Sequence, residues 1–203
     1  RCRLDSRRWV IQMSKEIRSG EPVEIRAEGD TISVSGYAAV FNSETIIGGS
    51  YREQIAPGAF ADAIGRDDVM FLINHDGLPM ARTKSGTLTL AEDERGLYMS
   101  AELDSSDPDV RAIVPKMKRG DLDKMSFAFS PEVQSWDDSG DMPLRTIRQA
   151  SLYDVSIVTY PAYQDTDIGL RSLSEFRSAQ ETKEIESNPE AIAARLRMKL
   201  ALS

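Results

Sequence analysis

A chain of 203 residues with 40% hydrophobic and 29% charged side chains has the composition of a globular protein with one core and a tail. Its formal net charge of -8 disfavours a phosphate backbone as partner, so no nucleic acid is expected. No apolar run reaches the roughly 18 residues that cross a bilayer, so no membrane partner is expected either.

Cys2 is the only cysteine and His75 the only histidine. An internal disulfide and a cysteine zinc site are excluded, no cofactor is expected, and a reducing cytoplasmic setting is permitted. Any imidazole chemistry has to run through His75.

Residues 1–12 are basic and patternless. Met13-Ser14-Lys15 reads as a start, which favours an upstream extension over a short basic arm with a function, and residues 1–20 are expected to be a poorly ordered extension. The apolar stretch of a signal peptide is absent. Residues 31–41 carry Ile32, Val34, Tyr37, Val40 and Phe41 around Gly36, the pattern of a strand with a bend or bulge. Gly48-Gly49-Ser50 is a turn. Pro57-Gly58-Ala59-Phe60 opens a short helix with Phe60 and Ile64 on one face and Gly65 at its end.

The continuous apolar run 69–73 suits a strand covered on both faces. It ends in the turn chemistry of Asn74-His75-Asp76-Gly77. Residues 87–90 and 97–103 are expected to form a hairpin joined by the polar stretch 91–96. Ser106-Asp107-Pro108 starts a helix on which Val110, Ile113, Val114 and Met117 recur at helical spacing, with Gly120 closing it. Pro115 cannot donate to the Arg111 carbonyl, so a kink or an earlier end is expected.

Along 125–129, Met125, Phe127 and Phe129 share one face of a strand, while Ser126, Ala128 and Ser130 share the other. Residues 144–149 and 152–159 read as two more strands, close enough to pair. After residue 170 the chain turns polar, with 171–188 a linker or solvated helix. Asn188-Pro189-Glu190 then starts a helix with a narrow stripe of Ile192, Leu196 and Leu200, suited to docking on its own domain or on a partner.

A serine hydrolase needs a hydroxyl, a neutral imidazole to take its proton, and a carboxylate to hold the imidazole. Ser126 lies on a face of small residues, open to an approaching carbonyl; a buried serine bonded to backbone is the plainer reading. His75 ends a buried strand, where scaffolds place reactive groups, though boundary histidines are often only structural. Asp154 sits inside the apolar run 152–158, a costly place unless something pairs with it. Arg148 is one candidate for that pairing, and Asp76 is a rival carboxylate for His75. No Gly-x-Ser-x-Gly elbow, phosphate loop or His-Glu-x-x-His occurs.

Several segments resemble the tailed-phage prohead maturation proteases, in that family's order. They are Gly36-Tyr37-Ala38-Ala39-Val40-Phe41-Asn42, Ala56-Pro57-Gly58-Ala59-Phe60, Asn74-His75-Asp76 and Gly86-Thr87-Leu88-Thr89-Leu90. Arg95-Gly96-Leu97-Tyr98, then Lys118-Arg119-Gly120-Asp121-Leu122 with Lys124-Met125-Ser126-Phe127-Ala128-Phe129, then the 152–158 run and Pro161-Ala162-Tyr163 complete the series. The resemblance covers residues 31–164. It implies a mainly β (α+β) fold, a compact β-barrel with flanking helices like the herpesvirus assembly proteases. The protease domain would span 21–170, with a polar linker and helix over 171–203.

The resemblance also implies His75 as general base, Ser126 as nucleophile and Asp154 as third member. It implies endoproteolysis of the scaffold segment of the major capsid protein, and of the protease itself, inside the prohead in the host cytoplasm. Self-cleavage is expected within 171–188, and self-association as a dimer is a further expectation. An inactive capsid-assembly protein on the same barrel is the alternative. Two residues depart from the family's pattern: Ala128 stands where relatives often carry glycine, and Pro115 falls inside a usually regular helix.

Overall fold

The computed structural model describes residues 15–28, 31–160 and 173–178. In chain order the strands are β1 (Glu16–Pro22), β2 (Glu24–Glu28), β3 (Thr31–Val40), β4 (Thr45–Ile47) and β5 (Tyr51–Ile55). Helix α1 (Ala61–Arg66) follows, then β6 (Met70–Ile73), β7 (Asp76–Arg82), β8 (Leu88–Glu92) and β9 (Gly96–Asp104). Helix α2 (Pro108–Arg119), β10 (Lys124–Asp137) and β11 (Leu144–Val158) complete the set. The protein is mainly β. No described helix is long and apolar enough to cross a membrane.

Two sheets form. One runs β2-β3-β9-β8, all antiparallel. The other runs β1-β10-β11-β5-β4, with β6 pairing both β11 and β7. One edge of β11 carries β10 along its length. The other edge is shared: Leu144–Ile147 runs parallel to β5, and Asp154–Ile157 runs parallel to β6. This arrangement brings the end of β6 beside the last turns of β11. The ladders do not close into a ring among the described residues. Where β1 crosses β3, only glycine fits: a Cβ on Gly20 would lie 2.2 Å from the Ala38 carbonyl oxygen.

Alternation drives the inner faces together. Phe60, Phe127 and Phe129 are fully buried, and Phe60 meets Phe127 edge-on at 5.6 Å. The bulge expected near Gly36 is a register shift between Tyr37 and Ala39. Residues 88–104 form the expected hairpin.

Several expectations are corrected. Residues 144–149 and 152–159 form one strand, because Ala150, Ser151 and Leu152 are buried and Ala150 N–H donates to Ala59 O at 2.9 Å instead of turning. Helix α2 runs through Pro115 to Arg119: Val110 and Val114 before it and Met117 after it are buried, which offsets one lost hydrogen bond. Asp107 caps that helix by accepting from Asp109 N–H, and Gly120 ends it at φ 82°. Gly65 lies inside α1, which extends to Arg66.

The boundary expected at residue 20 falls inside β1, which is hydrogen-bonded to β10 from Glu16 onward. The chain divides into the units Arg1–Gln164 and Asp165–Ser203. Residues 173–178 are helical. The expected boundary at 170 and the helix from Asn188 lie outside the described residues, as does most of the 171–188 tether.

Candidate active site

Strand register sets the site. Ser19, Ser126 and Ser156 stand in one row across β1, β10 and β11, and Ile17, Ala128 and Asp154 stand in the next. Side chains two apart on a strand share a face, so Ser126, Asp154 and Ser156 point the same way. Beside them, β6 pairs Leu72 with Ser156 and Ile73 with Ile157, then the chain turns.

That turn is unusual. Asn74 and His75 both hold positive φ, 52° and 60°, a conformation costly outside glycine. Asn74 holds it: its N–H donates to Ile157 O at 2.9 Å, and its Oδ1 accepts from Thr159 N–H at 2.9 Å. The turn directs the His75 ring back over the sheet. Nδ1 lies 2.5 Å from Asp154 Oδ1, and Nε2 lies 2.7 Å from Ser126 Oγ. The three residues singled out from the sequence therefore meet in one hydrogen-bonded line. Asp76 is exposed, and Arg148 bonds Ser135 instead, so neither rival pairing forms.

With Nδ1 carrying the proton toward Asp154, Nε2 is the free acceptor. The Ser126 hydroxyl has one proton and two acceptors, His75 Nε2 and the Arg18 carbonyl at 2.8 Å. Ser126 has no exposed surface, and the His75 side chain is 10% exposed.

Asp154 is 2% exposed. Burial alone would push its carboxyl up, but hydrogen bonds from His75, Lys15 and Ser156 outweigh that and hold it below the usual carboxylate range. Ser156 donates to Oδ1 at 2.8 Å, and Lys15 Nζ donates to Oδ2 at 2.8 Å.

Beneath β1 lies a second buried charge group. Arg18 bonds Glu53 at 2.5 Å and Glu16 at 2.6 Å, and Arg145 bonds Glu16 at 2.9 Å and Glu53 at 2.8 Å. All four residues are under 9% exposed, so each charge depends on its partners. Burial would lower both guanidinium groups; the two glutamates overcome it and raise them.

Lys15, Ser156 and the Arg18 carbonyl were not singled out from the sequence. Ser156 carries a readable signal, since it lies two residues beyond Asp154 on the same strand face. Lys15 carries none, because its role needs β1 to pair with β10.

A family model described as caudovirus prohead serine protease matches residues 21–183. The prohead protease of Enterobacteria phage HK97 is 31% identical over 158 residues, covering 74% of this chain and 65% of that protein. This chain thus spans somewhat less than two thirds of that relative's length. No solved structure matches it. Most of the length of this chain, including Ser126, His75 and Asp154, falls within that match, and the chain belongs to the caudovirus prohead serine protease family.

Proposed function

We propose that this chain is a serine endopeptidase that cuts the scaffold segment of a phage major capsid protein, and itself, inside the assembling prohead in the host cytoplasm. The observation that carries the reading is the line of Ser126 Oγ, the His75 ring and Asp154, joined at 2.7 and 2.5 Å. Family membership and the name of the phage HK97 relative support the substrate class.

In this reading His75 Nε2 takes the Ser126 proton as Oγ attacks the peptide carbonyl. Asp154 stabilises the imidazolium that forms. The imidazolium protonates the leaving amine, and water, activated by the same ring, releases the acyl group. Because Ser126 has no exposed surface, a substrate carbonyl reaches Oγ only in a more open state, so opening is part of the reaction.

In the same reading residues 21–170 are the protease domain, extended by β1, with 171–203 as tether and docking helix. The two sheets are read as a barrel of the herpesvirus assembly-protease kind, supported by the close crossing of β1 and β3 at Gly20. Self-association as a dimer belongs to the same proposal and is read by light scattering.

One observation favours the rival, an inactive assembly protein on this fold: the complete burial of Ser126. Co-expression with a capsid protein carrying its scaffold segment separates the two. Wild type should shorten the capsid protein, and Ser126→Ala should leave it intact, a loss on the order of 10⁴-fold or more. Cleavage retained by Ser126→Ala ends the nucleophile assignment, and no cleavage by wild type favours the rival.

A further inference from the structure

Asp154 presents a charge problem that the proposed mechanism does not solve by itself. Its carboxylate is 2% exposed, and a buried anion needs a cation. Among the described residues, the cations within ion-pair distance are Lys15 and, when protonated, His75. A protonated His75 would balance the charge but could not accept the Ser126 proton.

Among the described residues, the neighbouring elements supply no other cation. β6 presents Met70, Phe71, Leu72 and Ile73, none of them ionisable. β10 presents Ser126 and Ala128 in the adjoining rows. On β11 itself, Ser156 bonds Asp154, and the hydroxyl of Tyr153 meets Ser130. On β1, Glu16 and Arg18 face the opposite side, tied to Glu53 and Arg145. Asp76, next to His75, is exposed.

We infer that Lys15 is a positioning residue: its ammonium balances the Asp154 carboxylate so that His75 stays neutral and free to act as base. The inference rests on the reading of Ser126, His75 and Asp154 given above. The two carboxylate oxygens divide the task. Oδ2 takes Lys15 at 2.8 Å, leaving Oδ1 to His75 at 2.5 Å and Ser156 at 2.8 Å. Lys15 also stands 6.0 Å over the Tyr153 ring, a second contact that favours a cation there. β1 delivers Lys15, and the buried glutamate–arginine group on its other face fixes β1. Lys15 precedes residue 21, where the family match begins.

The test is the pH dependence of labelling by a fluorophosphonate reagent. Ser126 Oγ displaces fluoride from phosphorus, His75 takes the hydroxyl proton, and fluoride leaves as the anion. Wild type, Lys15→Met, Lys15→Arg and Ser126→Ala are compared on the full chain. Without the ammonium, an imidazolium becomes the one cation on Asp154 and forms at higher pH. Lys15→Met should therefore have its acid limb moved up by about one pH unit, and should label up to about tenfold more slowly at pH values below the limb. Its rate should return to within about threefold of wild type above that limb, which a fold defect would not allow. Lys15→Arg should restore the wild-type limb.

An acid limb that is unmoved or moved down in Lys15→Met overturns the inference, whether or not the rate falls. So does a slow Lys15→Arg with the shifted limb. Failure of the underlying reading looks different: Ser126→Ala still labels, or wild type does not.

Discussion

Two buried charge groups lie on opposite faces of β1, and they are built differently. On one face Glu16, Arg18, Glu53 and Arg145 pair two carboxylates with two guanidinium groups that stay charged at any working pH. On the other face Asp154 faces an ammonium, a hydroxyl and an imidazole. The first group is closed: its cations are guanidinium groups that give up no proton and touch no nucleophile, so it holds strands together. The second includes one partner that can gain and lose a proton, and that partner touches a serine hydroxyl. A buried ion group becomes chemically useful when one of its members can pass a proton to or from a neighbouring nucleophile.

Substitutions on the two faces should therefore separate activity from stability. The largest effect is expected from Asp154→Asn. The amide leaves the shape intact but favours the wrong His75 tautomer, so the labelling rate should fall roughly 10⁴-fold. The melting temperature measured alongside should barely move; a collapse of the fold would place Asp154 with the structural group instead.

Next comes Arg145→Met, which leaves two buried glutamates to share the single guanidinium of Arg18. It should cost about 3–5 kcal/mol of stability in urea melts. At temperatures where it stays folded, labelling should persist within about an order of magnitude, unlike Asp154→Asn. If labelling disappears in the folded variant, the two faces are not independent.

Ser156→Ala should be milder. It removes one of the hydrogen bonds on Asp154, and a bond to a charged group is worth about 1.5–3 kcal/mol. A drop in labelling of roughly tenfold or more is expected, and an unchanged rate would show that Ser156 is only filling space.

The smallest expected effect is on acid stability. The Asp154 carboxyl is held below its ordinary value, so its ionised form favours the folded state. That contribution is present above the unfolded carboxylate value, about 3.9, and fades as pH falls through the lower folded value. Asp154→Asn should thus lose less stability than Ser126→Ala on acidification from pH 7 to pH 3. Parallel acid titrations of the two variants would remove Asp154 from the acid-sensitive groups.

The site was more legible than the frame that carries it. Asp154 in an apolar run breaks a local pattern, while Ser126 among small residues and His75 at a strand end became candidates through the ordered segments that resemble the family. The strands that mount them were harder to see. β1 and β5 bury Glu16, Arg18 and Glu53 where alternation calls for apolar side chains, so neither reads as a strand. β7, with Leu78 79% exposed and Pro79 within it, has an edge-strand sequence with little to mark it.

By itself the sequence determined the hairpin at 88–104 and helix α2 with its Asp107 and Gly120 ends, because each depends on neighbours within a few residues, while the three candidate side chains were implied by the family resemblance. Tertiary structure alone decided that β6 runs parallel to β11, that β1 lies against β10, and that Lys15 reaches Asp154. Lys15 and Asp154 lie 139 positions apart and His75 and Asp154 lie 79 apart, and a buried charge becomes tolerable only once its distant partner has arrived.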